Sequence, residues 1–459
     1  MAEADSNPRV VEHSRLVVSG PLVKAIFTLA IPPVLGMFME IALSVTDFYW
    51  VGRLGPAAQD AIASSMVVVW TLFSAISIIS IGVSALVSRH VGANAPEKAV
   101  HFTRQAVWLA LTLGVCVSAV GYWATGHLLD FMNAGAVTQQ HARPYLHVFF
   151  VVCPLLFLAE TAYAVFRASG DTKTPTKVGI TVVVINLVLD PLLIFGWGPI
   201  PALGVPGASV ATGIAWCVGA ILIYRLMLCG RLGFSVGRLF SEKPNLGSFG
   251  RIARIGLPIS TQQLTFVLVY WFLIGFVHRF GEAAGAGMGI GNRMESFSYL
   301  TCSGFAMAAS TLVGQNLGAG QPDRAARGAW GATGLGIALT LVFSFFFLVL
   351  PGPIASFFTS DPEVKQIAVG YLVILGLSQF TMAVEIILEG AFSGSGDTLP
   401  PMLVILPGSV ARVPLAWYLA FQLDWGIEGI WWTLTITTTL KAAVLAWWFK
   451  LGHWKRKKL

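Results

Sequence analysis

The chain has 459 residues, of which 56% are hydrophobic and only 11% are charged. Because a soluble protein carries about 25% charged residues and the mean hydropathy here is +0.74, we expect lipid to be the solvent for most of the chain. The apolar runs are too long for barrel strands and do not alternate with a period of two residues, which argues against a membrane β-barrel.

Twelve apolar runs follow one another along the chain. Each is long enough to cross the hydrocarbon core as a helix of about 20 residues, which predicts an all-α polytopic membrane protein. The runs, numbered as spans 1 to 12, are 22–50, 60–87, 105–126, 144–166, 177–197, 206–229, 255–277, 284–313, 328–350, 367–392, 401–421 and 427–449. Tryptophans near span 12 are predicted to lie at the membrane interface, where amphipathic rings are favoured: Trp431, Trp432, Trp447, Trp448 and Trp454.

The sequence contains an internal repeat. Residues 84–99 (SALVSRHVGANAPEKA) align without a gap with residues 310–325 (STLVGQNLGAGQPDRA), at an offset of 226 positions. Six spans per copy give both copies the same orientation, so we expect two six-helix repeats related by a pseudo-two-fold axis along the membrane normal. In a membrane protein such a repeat predicts a transporter with its site between the copies. The predicted domains are an N-terminal lobe (1–229), a basic cytoplasmic linker (230–254) and a C-terminal lobe (255–459).

Repeated motifs also fall in the loops. Residues 92–97 and 318–323 are typical of a glycine turn followed by a helix start, with proline at the first helical position and an acid in the first turn. The sequence Ser-Gly-Asp-Thr occurs at 169–172 and again at 395–398. Thr174 is predicted to cap the helix that follows the first of these motifs.

The net charge is +7, and the positive residues are unevenly distributed over the loops. When alternate loops are assigned to opposite sides, most Lys and Arg fall on the side of both termini, and those on the other side are Arg53, Arg143, Arg279 and Lys365. This asymmetry predicts cytoplasmic termini by the positive-inside rule, in a multi-pass protein of the inner (plasma) membrane. The lipid bilayer accounts for the cations, so we expect no nucleic-acid partner.

Ionisable side chains inside apolar spans are costly and therefore point to function. Asp47 lies in span 1, and Asn186 and Asp190 lie four residues apart on one face of span 5. Pro191 lacks a backbone amide hydrogen, so we expect span 5 to bend near this residue. Freed carbonyls and carboxylates favour a hard cation such as Na⁺, and two carboxylates in one pocket equally suit a proton, so the coupling ion stays open.

The two copies differ at these positions. At the offset of 226, the partners of these three residues are Leu273, Arg412 and Ala416. Since a scaffold requirement should appear in both copies, we expect a dedicated cation site in the first lobe. Glu40 lies seven residues before Asp47, roughly on the same helix face, and is a candidate for lining the substrate cavity. Glu160 is a second such candidate.

The second lobe has its own ionisable residues inside spans. They are Arg293 and Glu295 in span 8, Glu385 and Glu389 in span 10, and Arg412 in span 11. Glu385 and Glu389 share one helix face. Two interpretations stay open: the charges form a neutral structural network, since buried charges usually pair, or they anchor a cationic substrate in the cavity.

Motifs for catalysis or nucleotide binding are missing from the sequence. No GxxxxGK[ST] or HExxH occurs, so nothing supports an ATP-driven pump or a zinc hydrolase. We therefore predict no enzyme, no cofactor and no metal site beyond Na⁺ at Asp47, Asn186 and Asp190. Transport would then run on an ion gradient.

Several motifs resemble the multidrug and toxic compound extrusion (MATE) family over nearly the whole chain. They are VTDFYWV at 45–51 with Gly55, the stretch 186–191, the doubled Ser-Gly-Asp-Thr, and LVGQNLGAG at 312–320. Span 8, with RMES at 293–296, is similar to the bacterial DinF-like branch of the family.

The resemblance implies a first-lobe cation site built from an aspartate of span 1, an asparagine and an aspartate of span 5, and a threonine of span 6. The matching residues are Asp47, Asn186, Asp190 and Thr212. It also implies that Pro32 marks the place where span 1 bends. Some members carry a carboxylate in span 7, where this chain has Gln262 and Gln263, so the first-lobe site is favoured over one on span 7.

The predicted function is export of amphiphilic, cationic drugs or metabolites in exchange for H⁺ or Na⁺, by alternating access in a V-shaped cavity of a monomer. The alternative within the same superfamily is a flippase for lipid-linked intermediates. A flippase would need a cationic cavity for pyrophosphate, whereas the buried charges here are acidic or neutral. A third hypothesis, a non-transporting receptor, predicts no release of H⁺ or Na⁺ when substrate is added.

Overall fold

The computed structural model describes residues 15–131, 135–199 and 201–459, and helices dominate each of these ranges. In the first half of the chain the helices are α1 (Leu22–Gly52), α2 (Pro56–Gly92), α3 (Pro96–Phe131), α4 (Ala136–Ala168), α5 (Lys173–Phe195) and α6 (Val205–Leu228). In the second half they are α7 (Leu246–His278), α8 (Glu282–Gly318), α9 (Pro322–Val349), α10 (Pro351–Phe358), α11 (Pro362–Gly376), α12 (Gln379–Ser395), α13 (Leu399–Val410), α14 (Arg412–Trp417) and α15 (Gly426–Leu451). A π-helical turn at Tyr418–Gln422 continues α14.

Each of the twelve predicted spans corresponds to a helix or a broken helix. Within the described ranges, nine helices are long and apolar enough to cross a membrane when α13, α14 and the π-turn count as one, and α11 with α12 forms a tenth span bent by 57°. The two other long helices, α8 and α15, carry more polar side chains, among them Glu295 and Lys441. The prediction of an all-α polytopic protein is confirmed.

The chain forms two units. The first contains Leu35–Arg254, and the second contains Val17–Val34 together with Ile255–Leu459. α1 therefore belongs to the second unit up to Val34. This first part of α1 packs against α8 of the second unit, where the ring of Phe27 lies edge-on to that of Phe305 at a centroid distance of 6.1 Å. The sequence repeat alone does not indicate this assignment of residues 17–34.

The loop motifs at residues 92–97 and 318–323 end and begin helices as predicted, with one difference between the copies. α2 ends and α3 begins around the first motif, as α8 and α9 do around the second. The left-handed residue of the turn is Gly320 (φ 72°) in the second copy but Asn94 (φ 51°) in the first. Asparagine is among the few side chains that tolerate this backbone region, so the turn survives without its glycine.

The predicted helix cap at Thr174 is wrong, because the capping group is Asp171. The carboxylate of Asp171 accepts hydrogen bonds from the backbone nitrogen of Thr174 at 2.9 Å and from its hydroxyl at 2.5 Å. Aspartate satisfies free amide groups at a helix start as well as a hydroxyl does. In the second copy the equivalent Asp397 instead forms an ion pair with Lys457 at 2.8 Å.

Two of the tryptophans predicted at the interface are buried instead. Trp431 is 0% exposed and lies edge-on to Tyr371 at 4.7 Å. Trp454 is 1% exposed, stacks on Phe449 at 4.5 Å and donates a hydrogen bond to the backbone oxygen of that residue. Trp447, by contrast, is 62% exposed. Hydropathy does not tell the inward from the outward face of a membrane helix, because both faces are apolar.

Small residues allow α12 to approach α8 closely. A Cβ at Gly390 would overlap the backbone carbonyl of Ala306, and a Cβ at Gly394 would overlap that of Ser310. The two glycines lie four residues apart, which is the small-xxx-small pattern of tightly packed membrane helices. In the first copy the repeat partners of these glycines are alanines, so this close approach is particular to the second unit.

Gly394→Ala should destabilise the protein, because the new methyl group meets backbone rather than a flexible side chain. We expect a loss of about 1–3 kcal/mol, typical of overpacking, measured as a lower midpoint of thermal unfolding in detergent. Gly334→Ala is the matched control, because it lies in helix α9 with no heavy atom within 4 Å of the new Cβ. The control should be neutral or stabilising, and equal losses in both variants would contradict the packing argument.

The connector between the copies, residues 229–245, is fastened to α3. Arg104 on α3 donates to the backbone oxygen of Val236 at 2.7 Å and to the carboxylate of Glu242 at 2.7 Å. His101 lies 2.6 Å from the other oxygen of that carboxylate, and the indole of Trp108 donates to the backbone oxygen of Glu242. The basic linker predicted over 230–254 is thus an anchored segment up to α7, which begins at Leu246.

Acid should loosen this connector. Partial burial acts to raise the pKa of Glu242, but hydrogen bonds from Arg104 and His101 outweigh it, so the pKa lies below its ordinary value. The bonds therefore stabilise the connector above the ordinary pKa of glutamate, and this stabilisation is lost as the pH falls through the lowered pKa.

We expect Glu242→Gln to raise hydrogen exchange of residues 229–245 about fivefold at neutral pH, which corresponds to about 1 kcal/mol. At a pH below the lowered pKa, the variant and the wild type should exchange alike. Glu97→Gln, at an exposed acid of α3, is the control and should change nothing. A pH-independent difference would refute the role of the Glu242 charge.

Candidate functional site

The predicted cation-site residues come from three helices of the first unit. α1 supplies Asp47, α5 supplies Asn186 and Asp190, and α6 supplies Thr212. Asp190 and Asn186 are 0% and 1% exposed, whereas Asp47 and Thr212 are half-buried. A buried carboxylate needs a partner, and here partners come both from its own helix and from the neighbouring helix α1.

The amide of Asn186 joins the other three residues. With its nitrogen towards the carboxylates, the amide donates to Asp190 Oδ2 at 3.1 Å and to Asp47 Oδ1 at 3.3 Å. Its oxygen then lies 3.0 Å from both the backbone nitrogen and the Oγ1 of Thr212. Both carboxyl groups therefore contact the same amide nitrogen. The structure therefore brings all four predicted residues into one cluster.

This cluster is chemically suited to a small cation. Two carboxylates in contact repel each other unless a proton or another cation lies between them. Carboxylate, amide and hydroxyl oxygens are also the ligands that hard cations prefer. Tyr145 on α4 lies close enough to Asp47 and Asp190 to interact with both charges. Sequence reasoning did not select Tyr145, although its repeat partner is also a tyrosine, Tyr371.

The prolines predicted to bend helices lie inside continuous ones. Pro32 and its neighbour Pro33 are within α1, and Pro191 is within α5, directly after Asp190. Proline has no amide hydrogen, so Pro191 leaves the carbonyl four residues earlier without its helical donor. The role of both positions as hinges remains a prediction.

Glu40 and Glu160 belong to a second ionisable group of the first unit. Glu40 on α1 is exposed, Glu160 on α4 is half-buried, and each lies within electrostatic range of the other and of Arg167. Arg167 was not predicted, although it shares a helix face with Glu160 at a spacing of seven residues. The buried hydroxyl of Tyr163, on the same face, has no hydrogen-bond partner in the part of the chain that the structure describes.

In the second unit, Glu385 forms an ion pair with Lys441. The two charged atoms are 2.6 Å apart, and the side chains are 12% and 5% exposed. Lys441 was not selected from the sequence, although it is the one lysine within span 12, and such a charge in an apolar run is the signal that could have found it. The ion pair favours the structural interpretation of Glu385 over that of a substrate anchor.

The other predicted charges of the second unit have separate partners. Arg412 donates to the hydroxyls of Thr437 and Thr438, both at 2.9 Å. The remaining contacts are Gln262 to Glu389 at 3.3 Å and Tyr371 to Glu295 at 2.7 Å. Arg293 is exposed and takes part in none of the ion pairs found among the described residues. The five ionisable residues predicted in the second lobe therefore have different hydrogen-bond and ion-pair partners, and Arg293 is the one that takes part in none of these contacts.

A duplicated bundle of membrane-spanning helices with a buried carboxylate pair is the architecture of a membrane transporter rather than of an enzyme. The MatE family model matches residues 32–192 and 258–418, two segments that are related by the same offset of 226. The chain belongs to the MatE family. The DinF-like branch within the family remains a prediction.

Individual relatives cover nearly the whole chain. The "FAD transporter" of Shewanella oneidensis is 29% identical over 92% of this chain and 93% of its own length. The "Probable multidrug resistance protein NorM" of Thermotoga maritima is 27% identical over 95% of this chain and 93% of its own. An outward-facing multidrug resistance MATE family transporter of the MOP superfamily has the same fold, with a TM-score of 0.89, 22% identity and coverage of 97% and 99%. The likeness to this transporter structure, together with the two matched segments of the family model, supports twelve helices in two repeats.

Proposed function

We propose that the protein is a secondary antiporter that exports amphiphilic compounds in exchange for H⁺ or Na⁺. The observation that carries the proposal is the amide of Asn186, which links Asp47, Asp190 and Thr212 around one point inside the first unit. Four oxygen-bearing groups from three helices form a site whose net negative charge requires a cation.

The mechanism follows from how a cation changes this site. With the cation bound, the two carboxylates can stay in contact, and α1, α5 and α6 are held together. Without it, their repulsion favours a different arrangement of these helices. If substrate binds better to the second arrangement, the ion gradient and the substrate flux are coupled by differential affinity. Alternating access then requires no nucleotide.

Two substrate classes are supported by the relatives. The "Probable multidrug resistance protein NorM" of Thermotoga maritima and "Multidrug resistance protein PmpM" of Pseudomonas aeruginosa, 26% identical, favour drugs as substrates. The FAD transporter of Shewanella oneidensis favours a dinucleotide with a pyrophosphate group. We propose cationic drugs as the first class, since the first unit is acidic around Asp47 and Glu40, and FAD as the second candidate. A flippase of lipid-linked intermediates has no such support among these relatives.

The placement of the protein is also a proposal. The excess of Lys and Arg on one side supports cytoplasmic termini in the inner (plasma) membrane. A monomer suffices for this function, since both copies of the repeat lie in one chain and the proposed cation site lies within one unit.

Transport by the purified protein in proteoliposomes would test the proposal. Vesicles loaded with ethidium, and in parallel with FAD, would be given a pH gradient or a Na⁺ gradient, each imposed alone. We expect one of the two gradients to drive ethidium movement, and the responsive gradient identifies the coupling ion. If neither gradient moves ethidium or FAD, the antiporter proposal is wrong.

A further inference from the structure

Part of the cation site of the first unit has a structural counterpart in the second. At the offset of 226, Asn186 corresponds to Arg412 and Thr212 to Thr438. The amide of Asn186 lies 3.0 Å from the hydroxyl of Thr212, and the guanidinium of Arg412 donates to the hydroxyl of Thr438 at 2.9 Å. Each unit thus places a polar side chain of this position beside the same threonine hydroxyl: the oxygen of an amide in the first copy, and a positively charged donor in the second.

The carboxylates of the first unit have no counterpart at this place. Asp47 corresponds to Leu273 and Asp190 to Ala416. Both residues are 0% exposed, and they pack in one apolar cluster together with Tyr371. The second unit therefore lacks the groups that would bind an exchangeable cation at this point.

The carboxyl group of Glu295 lies near Arg412 in the second unit. Glu295 on α8 accepts a hydrogen bond from Tyr371 at 2.7 Å and lies within electrostatic range of Arg412. The position equivalent to Glu295 in the first copy is the apolar Val69. Lys441 forms an ion pair with Glu385 and also interacts with the charge of Glu389, whereas Arg412 is the cation that interacts with Glu295.

We propose that Arg412 is a tethered cation, which takes in the second unit the place that the exchangeable cation takes in the first. The inference rests on the proposed function, because it assumes a coupling ion at Asp47 and Asp190. A guanidinium remains charged at all physiological pH values and is covalently held. In the second unit, the place equivalent to the first-unit site is thus permanently occupied and takes up no coupling ion.

Counting bound cations in the purified full-length protein tests this assignment. Cation uptake would be measured as bound ²²Na⁺ at neutral pH and as protons taken up when the pH is lowered from alkaline to neutral. Arg412→Gln should bind about one additional H⁺ or Na⁺ per chain, because a buried carboxylate left without its positive partner must acquire another. Arg412→Lys is the matched control and should bind none, since it keeps the charge. If Arg412→Gln elutes as a folded protein and binds no additional cation, the proposal is overturned.

Further variants separate this proposal from the proposed function. Glu295→Gln combined with Arg412→Gln should abolish the additional cation, because the uncompensated carboxylate is gone; an additional cation that persists would overturn the proposal. The double variant Asp47→Asn and Asp190→Asn should lose all exchangeable cation binding. If about half of it remains, the second unit exchanges a cation and Arg412 is not its substitute. If binding is undiminished, the first-unit site itself is wrong, and the inference falls with it.

Discussion

Asp190→Asn is expected to abolish gradient-driven transport, with initial rates of ethidium movement in proteoliposomes falling by about two orders of magnitude. Asparagine has nearly the same shape as aspartate and can still hydrogen-bond to Asn186, so the helices should keep their packing. What is lost is the charge that attracts a cation between Asp47 and Asp190. Substrate can then still bind, but its movement is no longer coupled to the ion.

The control for this variant is Asp424→Asn. Asp424 is an exposed acid of the second unit with a left-handed backbone (φ 52°) that asparagine also adopts. The chemical change is the same but lies outside the site, so wild-type rates are expected. Wild-type rates in a folded Asp190→Asn protein would remove the carboxylate pair from the mechanism.

Lys441→Met is expected to cause the largest loss of stability in the second unit. The variant leaves Glu385 buried without its cation, and breaking a buried ion pair in this way costs about 3–5 kcal/mol. Replacing both partners, as in Lys441→Met with Glu385→Leu, should recover most of that loss, because no uncompensated charge remains. Thermal unfolding in detergent, followed by tryptophan fluorescence, measures both variants.

The matched control is Lys457→Met, which breaks the ion pair of Lys457 and Asp397 at 2.8 Å. Lys457 is 44% exposed, and an exposed pair of this kind contributes at most about 1 kcal/mol. Equal losses in the two single variants would show that burial of the Lys441 pair does not matter. A double variant as unstable as Lys441→Met would likewise contradict the ion-pair explanation.

Much of the site was predictable because the sequence contains an internal comparison. Asp47, Asn186 and Asp190 could be selected as functional since the second copy shows what the same scaffold needs without them. Thr212 came only from the family resemblance, since a lone threonine in an apolar helix carries no signal of its own. Lys441 was missed as a partner for a different reason: it is visible in the sequence as a charge, but its partner Glu385 lies on another helix.

The sequence by itself determined that the chain lies in lipid, that its spans are helical and that it consists of two copies, of which only the first carries acids at the positions of Asp47 and Asp190. Composition, run length and the offset of 226 suffice for these conclusions, because they depend on solvent and on chain period alone. Only the tertiary structure decided that Glu385 pairs with Lys441, that Trp431 is buried and that residues 17–34 join the second unit. A membrane helix is apolar on both its lipid and its protein faces, so the rotation of each helix is set by close packing and hydrogen bonds between helices, which hydropathy does not encode.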